Sequence, residues 1–247
     1  MKINKYIYPF LTGEKFSNLE KIQIDNKDFI YYRLPLLKSI TKGKNILHVG
    51  CCDHINLIES KIENETYLHS MLINNSNHCI GIDIDNEGIE FMKSKGIDNV
   101  YCYNILSDYN EKIDSVNWDY ILLGEVLEHI DNPVNFLETI NKKFKNNATK
   151  IIVTVPNAFS IHNNYYIKKG IENINTDHRY WFTPFTLMKV LTKSGYQVEE
   201  LFFIERSKIT FFDKILKWGY KIITKDVFLF RKFRINRASG LAIIANF

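Results

Sequence analysis

Five short apolar runs, 46–49, 79–82, 100–103, 120–123 and 151–155, are spaced along the chain with helix-length segments between them. Each run is rich in Ile, Leu and Val and too short for a buried helix, which is the pattern of a strand covered on both faces. Strands that alternate with helices bury their apolar surface by laying the helices over both faces of a parallel sheet. The expected fold is therefore α/β, a doubly wound and mostly parallel sheet. The intervening segments carry the matching signals. Tyr67, Leu68, Met71 and Leu72 recur at helical spacing within 55–75, a helix over 87–95 stops at Gly96, and Pro133 opens a helix with Val134, Leu137 and Ile140 on one face.

The ends of the chain depart from strict alternation. Residues 1–26 are mixed and polar and read as a loosely packed leading segment, and Phe29, Ile30, Leu34, Leu37 and Ile40 suggest a helix over 28–41 that Pro35 complicates. After the fifth run comes an aromatic, polar insertion at 157–182, then a helix over 183–194 and two more strands at 196–204 and 240–245. That makes seven strands in a single domain, 1–247, with 1–43 leading into it and 157–182 and 207–238 as insertions on the substrate side. Within the second insertion Phe211, Ile215, Trp218 and Ile222 share one helical face, and Lys214, Lys217, Lys221 and Lys225 another. A basic face at 208–225 suits a membrane surface or a polyanion, although most such faces are simply solvated.

Composition limits the alternatives. With 247 residues and 45% hydrophobic side chains, the chain can build one sizeable core. The 32 basic residues nearly balance the 28 acidic ones, so charge does not point to nucleic acid as a partner. Cys51, Cys52, Cys79 and Cys102 lie in or beside apolar runs rather than in a spaced framework, against disulfides and a zinc cage. No apolar run approaches the roughly 18 residues of a membrane span, and a soluble cytoplasmic protein is expected.

The chemistry concentrates at the ends of the strand-like runs. The first run ends in Gly50-Cys51-Cys52-Asp53, a tight turn whose glycine lets backbone N–H groups approach a bound group. Asp83 ends the second run, where a carboxylate can accept hydrogen bonds from both hydroxyls of a ribose. The plainer role is a cap on the next helix, which Asp85 or Asn86 could fill equally well. Asp83 lies 33 residues beyond Gly50, against about 20 in the usual mononucleotide unit. The segment 55–77 has to absorb the difference. No G-x-G-x-x-G occurs, which disfavours a nicotinamide cofactor.

In chain order, Gly50-Cys51, Gly81-Ile82-Asp83, Asn104-Ile105, the stretch Asp119-Tyr120-Ile121-Leu122-Leu123-Gly124-Glu125-Val126-Leu127-Glu128-His129-Ile130-Asp131-Asn132-Pro133, and Val155-Pro156-Asn157 resemble the motifs of class I S-adenosylmethionine-dependent methyltransferases. The resemblance spans roughly 44–205. It implies a seven-stranded sheet with an antiparallel last strand, and S-adenosylmethionine as cofactor. Carried over by position, it sets Gly50 and Cys51 against the methionine part, Asp83 on the ribose, Asn104 and Ile105 near the adenine and Gly124 close to the sulfonium. His48 and Ile84 flank these positions and are taken with them as cofactor-binding. His48 stands where the family has an acidic residue, and Cys52 where it has a second glycine.

Glu125, Glu128 and His129 fall at i, i+3 and i+4, which on a helix would put all three on one face at the rim of the crevice. Methyl transfer needs a nucleophile held in line and a base for its proton, and His129 is the first choice for that base. Alternatively the three groups, completed by His178 or His162, hold a divalent cation. Their E-x-x-E-H pattern resembles metal-dependent small-RNA end methyltransferases and some quinone O-methyltransferases. In the plainest case Glu125 touches the cofactor, Glu128 is solvated and His129 only caps the helix. The 157–182 insertion carries His162, His178, Tyr180 and Trp181, whose rings and polar atoms suit a polar, ring-like acceptor, although Tyr180, Trp181 and Phe182 could do no more than pack the lid. The stretch Asp177-His178-Arg179-Tyr180-Trp181-Phe182-Thr183-Pro184 also resembles the family's sequence before its penultimate helix. Relatives with this glycine turn and lid decorate surface-polysaccharide sugars, so the resemblance implies O-methylation of a small polar or glycan acceptor, with nucleic acid not expected as a partner. The competing readings are a metal-assisted RNA-end or quinone O-methyltransferase and a non-catalytic cofactor-binding scaffold.

Overall fold

The structure, a computed structural model, describes residues 5–22, 30–205 and 238–247. All seven expected strands are present. They are β2 (Asn45–Val49), β3 (His78–Asp83), β4 (Val100–Cys102), β5 (Trp118–Gly124), β6 (Ala148–Pro156), β7 (Gln197–Glu205) and β8 (Gly240–Asn246), and a short β1 (Ile30–Tyr32) joins them as an eighth. The sheet order is β1-β7-β8-β6-β5-β2-β3-β4. Among the described residues only β8 runs antiparallel, between β6 and β7, and the other pairings are parallel.

The chain leaves β2 towards β3 and β4 on one side and returns to β5 and β6 on the other. The order therefore reverses between β2 and β5, and a crevice opens beyond the carboxyl ends of these strands. Alternation along each strand divides the core. Leu47, Val49, Ile121, Leu123, Ile151 and Val153 join the larger cluster, with α7 (Pro133–Phe144) and α9 (Pro184–Lys193) against it. Ile46, Leu122 and Ile152 face the opposite way, onto α2 (Arg33–Thr41) and α4 (Leu68–Asn75).

Three segments differ from the sequence expectation. The helix placed at 28–41 is the strand β1 followed by α2, and Pro35 is the third residue of α2, in the first turn where a missing N–H costs nothing. The single stretch 55–75 is two helices, α3 (Ile55–Glu63) and α4, broken where Glu65 takes a left-handed φ of 54°. This pair accommodates the long spacing from Gly50 to Asp83. The leading segment is not loose: in α1 (Tyr8–Thr12) Leu11 is fully buried, Lys193 Nζ donates to the Thr12 carbonyl at 2.6 Å, and the Tyr8 hydroxyl donates to the Val198 carbonyl at 3.1 Å. The remaining helices are α5 (Asn86–Ser94), α6 (Glu111–Asp114) and α8 (Ile161–Ile167), the last inside the 157–182 insertion. Among the described residues no helix is long and apolar enough to cross a membrane. The basic face at 208–225 lies outside the described residues.

Candidate functional site

The crevice begins at the turn after β2. Gly50 has φ +70°, and a Cβ there would stand 2.4 Å from Val126 Cγ2. Both the conformation and the space favour glycine over any residue with a Cβ. The N–H groups of Gly50 and Cys51 donate to the Ile82 carbonyl at 2.9 and 3.1 Å, which pins the turn to β3. Asp83, the last residue of β3, receives the Cys52 N–H on Oδ2 at 2.9 Å and the Asp85 N–H on Oδ1 at 3.1 Å. Burial raises its pKa, and the backbone donors from Asp85, Cys52 and Ile84 work against that rise. The helix-capping role falls to Asp85, whose carboxylate accepts the Glu87 N–H at 3.1 Å. Asp83 is thus oriented by the turn and keeps lone pairs on both oxygens for a ligand.

The neighbouring positions sort themselves by side-chain direction. Ile84 is 75% exposed, an unusual exposure for a large apolar side chain at a strand end. Ile105 is buried in the main core, and the Asn104 side chain accepts the Leu106 N–H at 3.0 Å. Their turn contributes mainly backbone. Gly124 ends β5, and a Cβ on it would lie 2.8 Å from both Arg33 Nη2 and Leu68 Cδ2.

His48 does not line the crevice. It shares its face of β2 with Ile46, is 2% exposed, and meets His69 of α4 with Nδ1 to Nδ1 at 3.2 Å and stacked rings. Burial, then His69, then Arg33 hold His48 well below the usual histidine pKa, and burial lowers His69 to about 4. Both rings are neutral near pH 7, and one Nδ1 donates to the other. The second histidine meets one ring nitrogen of each, while the buried Nε2 atoms of His48 and His69 find no hydrogen-bond partner among the described residues.

Glu125, Glu128 and His129 do not share a helical face. Glu125 follows β5 with φ 65°, a left-handed conformation in a non-glycine residue, and its N–H donates to the Thr154 carbonyl at 3.0 Å. The chain then forms a single 3-10 turn, Leu127–His129. Glu128, far from solvated, is fully buried, with Oε1 4.0 Å from His178 Nε2, and the His129 ring stands edge-on to His178 at 4.7 Å between centroids. Ligand atoms of Glu128, His129 and His178 all lie within 4.8 Å of one another, close enough to share one cation or one proton path.

The insertion brings His178 to this cluster through backbone geometry. The Arg179 N–H donates to the Glu128 carbonyl at 2.8 Å, and the Arg179 guanidinium pairs with Asp131. Trp181 stands 6.2 Å from the His178 ring. Tyr180 has a mainly structural part, since its hydroxyl donates to the Asp131 carbonyl at 2.8 Å and its ring leans on Phe182. His162 sits exposed on α8 with Nε2 3.1 Å from Asn173 Nδ2, outside the cluster.

Arg33 is the residue that sequence reasoning missed. Its buried Nε has no hydrogen-bond partner among the described residues, and its guanidinium lies over Gly124. A lone arginine ahead of a proline carries no motif; only the packing of α2 beneath β5 and α4 brings it to the crevice.

A doubly wound sheet with one antiparallel strand, a glycine turn and a strand-end carboxylate defines the S-adenosylmethionine-dependent methyltransferase fold, and solved structures agree. The chain is similar to a SAM-dependent methyltransferase from Archaeoglobus fulgidus, at 21% identity and TM-score 0.51 over 87% of this chain and 91% of that one. It is also similar to magnesium protoporphyrin IX methyltransferase from Synechocystis PCC 6803 with bound SAH, at 10% identity and TM-score 0.52 over 86% and 79% of the two chains. Against the small RNA methyltransferase HEN1 the identity is 17% and the TM-score 0.51, with 94% of this chain covering 27% of that protein. No curated protein sequence matches significantly. The family model described as a methyltransferase domain matches residues 24–201, and the chain belongs to that family. It is an S-adenosylmethionine-dependent methyltransferase, which answers the scaffold alternative in favour of an enzyme.

Proposed function

We propose that this enzyme methylates an oxygen of a small polar, sugar-type acceptor of the kind found in surface polysaccharides. The observation that carries the reading is the cluster of buried Glu128 with the half-buried His129 and His178, set just beyond Gly124 and beside the aromatic insertion.

The cofactor fits the crevice on four counts. Gly50 holds the turn after β2 in a left-handed conformation, and Cys51 continues that turn along the crevice. Asp83 offers carboxylate oxygens to the ribose hydroxyls. Ile84 supplies an exposed apolar surface for the adenine, next to the backbone of Asn104 and Ile105. Arg33 adds a cation for the cofactor's carboxylate. The cofactor supplies an electrophilic methyl group when bound. Everything else is alignment and proton handling by this chain.

An acceptor hydroxyl that takes a methyl group releases one proton. His129 receives it at a ring nitrogen, and the Glu128 carboxylate beneath stabilises the positive charge that the imidazole cluster gains. The compact donor set also supports a second reading, in which the same three side chains hold a divalent cation that orients the acceptor oxygen.

Labelled-methyl transfer to nucleotide sugars and glycans tests the substrate class. In the base reading His129→Ala lowers turnover by about two orders of magnitude or more while SAH affinity barely changes. EDTA leaves that activity intact in the base reading and abolishes it in the metal reading. Unchanged turnover in His129→Ala removes the base assignment.

A further inference from the structure

We propose that Cys51, Cys52 and Asp83 form a binding site for a thiophilic d10 divalent ion of the zinc and cadmium class, and that filling it excludes the cofactor. The proposal rests on the reading of Asp83 as the ribose-holding carboxylate.

The cysteine spacing alone argues against a zinc cage, but the fold adds a strand-end carboxylate: both thiol sulfurs and an Asp83 oxygen lie within 4.8 Å of one another. The Cys51 sulfur occupies space that Gly81 leaves open, 2.8 Å from where a Cβ on that glycine would stand. Cys52 Sγ is 3.5 Å from Met92 Sδ, which adds a third sulfur, and a fourth potential donor, at the edge of the group. In a tetrahedral site with metal–sulfur bonds of about 2.3 Å, neighbouring donors stand roughly 3.5–3.8 Å apart. Closing the group to that spacing falls to the half-buried Cys52 side chain, since backbone N–H groups already hold both Asp83 oxygens.

The backbone that carries these donors is already held. Parallel pairing sets Val49 beside Ile82, the Cys52 N–H donates to Asp83 at 2.9 Å, and the Tyr67 hydroxyl donates to the Cys51 carbonyl at 2.8 Å. Thiolates with one carboxylate select soft or borderline d10 ions over magnesium or calcium. Exclusion follows from the shared atom: an Asp83 oxygen bound to the ion cannot accept a ribose hydroxyl. The Glu128, His129 and His178 cluster contains no sulfur and is chemically distinct.

Cadmium gives a direct readout, because thiolate ligation produces a near-ultraviolet charge-transfer band that histidine and carboxylate ligation does not. The full chain carrying Cys102→Ser, which removes the exposed thiol on β4, is titrated with cadmium, and SAH binding is measured by calorimetry with and without the metal. The band is expected to saturate with one bound ion, and saturating cadmium should weaken SAH at least tenfold. Adding Cys52→Ser should abolish both effects. A band that survives Cys52→Ser, or an SAH affinity that ignores bound cadmium, overturns the proposal. Failure of the metal-free protein to bind SAH instead overturns the cofactor reading, and the absorbance arm is read independently of it.

Discussion

Gly50→Ala isolates the turn that the crevice is built on. The residue has φ +70°, so an alanine adopts the left-handed region at about 1–2 kcal/mol. Its Cβ would also meet Val126 Cγ2 at 2.4 Å, and overpacking of this kind costs about 1–3 kcal/mol. The two effects together predict a loss of about 2–5 kcal/mol in unfolding free energy. Val126→Ala separates them, because with Cγ1 and Cγ2 gone the nearest remaining atom is the residue 126 Cβ at 3.7 Å, an ordinary contact. A double-mutant cycle in urea should therefore show a favourable coupling of about 1–3 kcal/mol, the steric share, while the backbone share persists. The m-value should stay constant across all four proteins. Coupling below about 0.5 kcal/mol, or Gly50→Ala as stable as the parent, would refute the account of this turn.

Asp83→Asn removes the charge and, because its amide nitrogen cannot accept, one of the two backbone N–H contacts, and calorimetry should show SAH weakened by about 1.5–3 kcal/mol, roughly ten- to hundredfold. Arg33→Met keeps much of the stem and removes the cation over Gly124; SAH should again weaken, and an unchanged affinity would take Arg33 out of the site. The buried His69 is neutral in the fold with a pKa of about 4, whereas the unfolded chain takes up a proton below its ordinary value of 6.5. Its contribution to stability is complete above pH 6.5 and declines as pH falls towards 4, by about 3 kcal/mol in all. His69→Gln should flatten this acid limb in denaturant titrations, and an unaltered slope would contradict the pairing of His48 with His69.

The seven strands were legible because each carries a short apolar run, four of which (in β2, β3, β5 and β6) end at glycine, aspartate or proline, and β8 was found although it lies far along the chain from its partners. Gly50 and Asp83 were legible for the same reason, since a strand's carboxyl end is marked locally. Contacts that owe nothing to local spacing were not. The E-x-x-E-H pattern looks helical, but a left-handed residue at Glu125 and a single 3-10 turn over Leu127–His129 stand where a helix was expected. His178 enters the cluster from 49 residues beyond His129, through the Arg179 hydrogen bond to the Glu128 carbonyl.

By itself, then, the order of apolar runs and turn residues determined the sheet, the crevice and the carboxylate facing it, because periodicity and backbone conformation are properties of neighbouring residues. Only tertiary structure decided that His48 turns inward to His69, that Arg33 reaches Gly124 and that Glu128 is buried beside two imidazoles. These depend on which helix lies over which strand, and no local pattern encodes how two distant surfaces share their space.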